Sequence, residues 1–262
     1  MDERFAEFEL IDQIASKVAR GKGDEGGPGR LRTGIGDDAS VTVPGGATAT
    51  SVDAVVEGVH FDRAWSPPGK IAHKALAAAL SDLAAMAAEP GEVYVTLGLP
   101  PDTDRAWLES LAVGFAAAAE RFGVVLAGGD TVSSPVLFVS VTVVGHAPDE
   151  SRFVLRSGAR PGQLVAVTGC FGGAAAGLRS LSNGPGSADG MDEALARSLR
   201  ERQLAPEPRL EAGLLLADAG AASMVDVSDG LAADLGHISR ASGVAIEIDA
   251  TLVPVQAGVP EV

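Results

Sequence analysis

The chain predicts an α/β protein in two parts, and three observations carry that reading. Short β-prone apolar runs alternate with longer runs of helical period along most of its length. The pattern breaks at His146-Ala147-Pro148-Asp149-Glu150, which separates an N-terminal part, 1–148, from a C-terminal part, 149–262. A chain of 262 residues with 46% hydrophobic content can bury one large core or two of medium size. Aromatics make up 4%, so Ala, Val and Leu must fill that core.

Residues 3–20 read as an amphipathic helix, with Phe5, Phe8, Ile11, Ile14 and Val18 on one face. Gly21 to Gly34 is a glycine-rich loop. Strands follow at about 39–44 and 47–54, joined by the Pro44-Gly45-Gly46 turn. Pro67-Pro68-Gly69 opens a helix over about 70–88 that is apolar almost all round and so belongs inside the protein. A strand at 92–99 leads to a helix over about 104–121, capped by Asp102 or Thr103. One more strand ends at Gly128-Gly129-Asp130, and a longer one covers about 136–147. The second part predicts strands at about 164–168, 222–227 and 244–249, and helices at about 172–182, 192–203, 207–218 and 230–242.

Composition narrows the partners. A net charge of −15 argues against nucleic acid and anionic membrane surfaces. The single cysteine, Cys170, excludes an internal disulfide and fits a reducing compartment. The start, Met1-Asp2-Glu3-Arg4, lacks the basic character of a secretory signal, and no apolar run reaches the roughly 18 residues of a membrane helix. The expectation is a soluble, cytoplasmic protein.

Aspartates recur beside Gly and Ser in otherwise apolar surroundings: Gly36-Asp37-Asp38, Ser51-Val52-Asp53, Ser81-Asp82, Gly128-Gly129-Asp130 and Asp226-Val227-Ser228-Asp229-Gly230. A buried, unpaired carboxylate is costly, and the chain has only four lysines (Lys17, Lys22, Lys70, Lys74) to pair with. Divalent cations are the alternative, because magnesium takes oxygen ligands and keeps water and phosphate in its shell. Asp82 is the sharpest case, set in the middle of an apolar helix, although an ion pair with Lys or Arg would also serve. Ser51 and Asp53 leave one face of a strand, so Val52 between them has only its carbonyl to offer. Ser228 or Asp229 also suits a helix N-cap.

Gly128-Gly129 lets backbone come close to a ligand or simply makes a turn. Arg156 can grip a phosphate with its planar fork or stand alone at the surface. Thr168-Gly169-Cys170-Phe171-Gly172-Gly173 lies between strand and helix but matches no phosphate-loop pattern. His60 reads, unaided, as a structural histidine. No Ser-His-Asp order, CxxC pair or HExxH helix supports a hydrolase triad or a zinc site.

Taken together, these stretches resemble the thiamine-monophosphate kinase family of the AIR-synthase-related (PurM-like) superfamily of ATP users. The matching segments are Gly34-Ile35-Gly36-Asp37-Asp38-Ala39, Asp53 with Glu57-Gly58-Val59-His60-Phe61, Lys74-Ala75-Leu76, Ser81 to Met86, Gly128 to Thr131, Arg156 to Gly162 and Asp226 to Leu231. The resemblance implies an N-terminal mixed-sheet domain that binds ATP and Mg2+ and forms a homodimer, followed by a C-terminal α/β domain. It implies ATP-dependent conversion of thiamine monophosphate to thiamine diphosphate with several Mg2+ ions. Carried over by position, Asp38, Ser51, Val52 (through its backbone), Asp53, Asp82, Asp130, Asp226 and Asp229 hold metal. Gly129, Asp130, Arg156 and Ser228 contact ATP, and His60 the thiamine substrate. Family members continue past the point matching Val262, so the resemblance covers the ATP and metal half more fully than the thiamine half. The rivals are another ATP-dependent member of the superfamily, against which the lack of a cysteine near either end speaks, and a metal-binding module without catalysis.

Overall fold

In the computed structural model, residues 30–36, 38–183 and 192–259 are described. The expected helix at 3–20 lies outside them.

Four strands form the central sheet: β3 (Ala47–Val56), β4 (Glu89–Leu99), β5 (Val125–Ser133) and β6 (Phe138–Ala147), in the order β3-β6-β4-β5. β3–β6 and β6–β4 are antiparallel and β4–β5 parallel, so the sheet is mixed. A small antiparallel pair, β1 (Leu31–Thr33) and β2 (Val41–Thr42), stands apart from it. The parallel step needs a crossover, which α2 (Arg105–Phe122) supplies.

β3 shows a period of two. Ser51, Asp53 and Val55 turn inward, whereas Thr48, Thr50, Val52 and Ala54 are exposed. The inward face is covered by α1 (Pro68–Ala85), whose Ile71, Leu76, Leu80 and Leu83 are at most 1% exposed. They pack against Val93, Val139, Val141 and Val143 in one core. α1 begins behind Pro67-Pro68, and proline at the first helical position forfeits no intrahelical bond. α1 and α2 pack closely: a Cβ on Gly114 would sit 2.6 Å from the Gly69 backbone. α2 is capped by Asp104, whose carboxylate accepts from Trp107 N at 2.9 Å, two residues or fewer beyond the expected Asp102 or Thr103.

Past Ala147 the structure is helical: α3 (Gly173–Ser182), α4 (Glu193–Leu204), α5 (Leu210–Asp218) and α6 (Leu231–Ser242), matching the four expected helices. The expected strands at 164–168, 222–227 and 244–249 are not formed as paired strands among the described residues. Their backbone bonds are isolated, as from Met224 N to Leu155 O at 3.1 Å. A β-prone run becomes a strand only with a neighbour to complete its ladder and a layer to cover it. Leu164 is 95% exposed and has no such cover.

Candidate active site

Two chain segments far apart in sequence meet at the C-terminal half of α1. Ser51 Oγ, from the inward face of β3, donates to Asp82 Oδ2 at 2.5 Å. Asp226 lies in the same neighbourhood: burial, reinforced by the like charge of Asp82, pushes its carboxyl above the ordinary range. A bond from Ser81 and the positive charge of Arg156 work in the opposite direction and do not prevail. Such a half-buried carboxylate pair is only partly compensated by Arg156, and a hard divalent cation with oxygen donors around it would relieve the remainder. The donor set, carboxylate and hydroxyl oxygen, fits Mg2+. Among the described residues no three His, Cys, Asp or Glu side chains already form a metal-holding group.

The sheet register sorts the remaining acids. Pairing runs Asp53–Val141–Val95–Gly129 straight across the four strands. Cross-strand partners share a face and successive residues alternate. Asp53 therefore lies with Ser51 on the α1 side. Asp130 pairs with Thr96 and falls on the opposite, open side. Asp38 belongs to the loop after β1, which a 2.7 Å bond between Ser40 Oγ and Tyr94 OH ties to β4. Tyr94 shares Thr96's side of its strand. The expected ligands thus fall into two groups. Ser51, Asp53, Asp82 and Asp226 lie toward α1, Asp130 lies toward the open face, and Asp38 sits in the loop that Ser40 ties to Tyr94 on that face.

Both acids of the strands are locally braced: Asp53 Oδ1 accepts from Ala54 N at 2.7 Å, and Asp130 Oδ1 from Thr131 N at 2.8 Å. Val52 is 64% exposed on the face away from Asp82, so only its backbone can join the α1 group. The glycine at 129 has a packing reason that the sequence does not reveal. A Cβ there would meet Val95 O at 2.1 Å, so close strand pairing already demands glycine.

Arg156 precedes a turn at Gly158 (φ +117), where a Cβ would lie 2.5 Å from Ala222 O. That close approach, together with the 3.1 Å bond from Ser242 Oγ to Arg156 O, seats the arginine segment against the strand-like run that carries Asp226. His60 is exposed beside a half-open cavity of about 300 Å³ lined also by Phe61, Asp62, Trp65 and Leu178. Its Nδ1 accepts from Val56 N at 3.1 Å, so in the neutral ring Nε2 carries the proton. Lys74 Nζ donates to His60 O at 2.7 Å and holds this turn; burial pushes the Lys74 ammonium down.

Asp229 and Ser228 are exposed on the turn before α6. Neither side chain caps that helix, whose N-cap is Gly230. Two contributors escaped sequence reasoning: Ser81, which reaches Asp226, and Asp234, which binds the 228–230 backbone. Asp234 sits at a helical position where an exposed acid is commonplace, so only its burial sets it apart.

The chain is similar to known proteins in both sequence and fold. Residues 36–147 match the family of the AIR synthase related protein, N-terminal domain. The thiamine-monophosphate kinase of Escherichia coli strain K12 is 41% identical over 250 residues, spanning 95% of this chain and 73% of that protein. The crystal structure of thiamine-monophosphate kinase from Stenotrophomonas maltophilia K279a superposes with a TM-score of 0.81 at 37% identity, covering 96% of this chain and 77% of that one. The AaThiL protein complexed with AMPPCP and TMP gives a TM-score of 0.75 at 30% identity, covering 98% and 77%. This chain belongs to the thiamine-monophosphate kinase family, a family of phosphate-transferring enzymes. Among the described residues no helix is long and apolar enough to cross a membrane.

Proposed function

We propose that the chain phosphorylates thiamine monophosphate to thiamine diphosphate, using ATP and direct in-line transfer of the γ-phosphoryl group. The observation that carries this reading is the meeting of Asp82 with Asp226 beside Arg156, within a fold shared with a relative complexed with AMPPCP and TMP. Phosphoryl transfer demands positioning and charge neutralisation rather than a strong protein base. The residues suited to hold Mg2+ are Asp38, Ser51, Asp53, Asp82, Asp130, Asp226 and Asp229, with the Val52 carbonyl. Several bound Mg2+ ions would neutralise the phosphates that the four lysines cannot. Arg156, Ser228 and the Gly129 backbone receive ATP, and Arg156 supplies a fixed positive fork at the rim of the Asp226 site. His60 offers its Nε2 proton to an oxygen of the acceptor phosphate.

The same reading takes the protein as a homodimer joined through its N-terminal part, 1–148, with 149–262 as the second domain. Support comes from the exposed row Thr48, Thr50, Val52 and Ala54 on β3, which leaves a sheet face open on the side of Asp38 and Asp130. Pairing of two such faces would hide Val52 and set these acids near the partner.

A coupled assay of ADP release with and without thiamine monophosphate tests the proposal. Release that depends on thiamine monophosphate, together with thiamine diphosphate as product, is the expected result. Release that ignores thiamine monophosphate, or no release, would point to a different superfamily reaction or to a non-catalytic module. Asp82→Asn and Asp130→Asn should each lower kcat by about 10² or more while circular dichroism is retained. Near-normal turnover in either variant removes that residue from the metal set.

A further inference from the structure

Asp234 stands in the first turn of α6, is 3% exposed, and takes no part in the chemistry just described. Its Oδ2 accepts three successive backbone amides: Ser228 N at 3.1 Å, Asp229 N at 3.1 Å and Gly230 N at 3.0 Å. Gly230, at φ +133, provides a backbone conformation that a side chain would oppose, and the Asp234 amide returns a bond to Gly230 O at 3.0 Å. Free amides at a helix N-terminus ordinarily receive an external anion. Here the anion is a carboxylate of the same chain, buried beneath the turn.

Two consequences follow from this chemistry. The amides of 228–230 are already satisfied, so the turn does not bind phosphate through them. The groups it still offers to the outside are side-chain oxygens, those of the exposed Ser228 and Asp229. A charged acceptor with three convergent bonds also fixes the turn far more tightly than one neutral bond would.

We propose that Asp234 is a positioning residue for nucleotide and cation binding: its buried carboxylate draws in the 228–230 amides and so presents Ser228 and Asp229 outward as oxygen donors, next to the half-buried Asp226. This deepens, and rests on, the reading of that turn as part of the nucleotide site. Asp234 touches neither substrate nor metal in this account, and acts through the backbone it holds.

Calorimetric titration of the wild-type protein, Asp234→Asn and Asp234→Ala with Mg·ADP, and separately with thiamine monophosphate, tests the assignment. Asp234→Ala should weaken Mg·ADP binding by about 10-fold or more, as loss of a supporting partner behind a ligand does, and Asp234→Asn, which keeps one acceptor oxygen, by less. Affinity for thiamine monophosphate should be unchanged in both. Equal weakening of the two ligands, in step with a lowered Tm, would mean a merely structural role and overturns the proposal. So does wild-type Mg·ADP affinity in both variants. If Asp234→Ala does not fold, Asp234→Asn decides alone, with unchanged Mg·ADP affinity counting against the proposal. Wild-type protein that binds no Mg·ADP overturns the nucleotide reading of the turn and this assignment with it.

Discussion

Asp226 shows how a half-buried carboxylate sits at odds with stability. Burial and the neighbouring Asp82 raise its pKa, so the folded protein holds the Asp226 proton more tightly than the unfolded chain does. Its contribution to stability is therefore full at pH below the ordinary carboxylate value and is lost as pH rises through the raised folded value. Asp226→Asn removes this loss. In the presence of a chelator the variant should be more stable than the wild type at neutral pH and melt at a higher temperature. The gain should vanish at acid pH, and added Mg2+ should raise the Tm of the wild type but not of the variant. Thermal melts against pH, with and without Mg2+, check all three. A variant that melts below the wild type at every pH would remove the electrostatic account.

Among elements, α1 matters most because it is both the centre of the core and the carrier of Asp82. Its C-terminal turn is gripped by α5, where a Cβ on Gly213 would lie 2.1 Å from Ala84 O, two residues beyond Asp82. Gly213→Ala therefore cannot be accommodated without moving one helix from the other. We expect a destabilisation of about 1–3 kcal/mol, as for other overpacked sites, and a weaker Mg·ADP affinity from the displaced Asp82. Urea melts and calorimetry report the two effects separately, and an unperturbed melt would show that the helices slide apart freely. The same close packing explains α1's composition. Ala72, Ala75, Ala77 and Ala79 are all buried, because small side chains let β-sheet, α2 and α5 approach one helix together.

For the whole molecule, the open sheet face is the feature with the largest consequence. Val52 at 64% and Val132 at 41% exposure add apolar surface to it, and the two edge strands β3 and β5 bear Asp53 and Asp130. Light scattering coupled to size exclusion should give a mass of about twice 26.4 kDa for the protein. Val52→Asp, which places a charge on the exposed row, should shift the protein toward monomer and lower turnover together. A fully active monomer would separate the two properties.

The sequence by itself determined which residues are acidic where acids are costly, and with them the family. It also determined the helices and the central strands, since 3.6- and 2-residue periods and proline or glycine punctuation are local signals. Asp104 in place of Asp102 or Thr103 as the α2 cap shows the usual margin of such signals. Tertiary structure alone decided the rest. Whether 164–168, 222–227 and 244–249 pair as strands depends on neighbours distant in the chain, and β-propensity carries no knowledge of them. Which aspartates share a face depends on strand order and register: these put Asp53 on the side of α1, which carries Asp82, and turn Asp130 the other way. The inward grip of Asp234 on the 228–230 amides is likewise a matter of burial, which no spacing along the chain encodes.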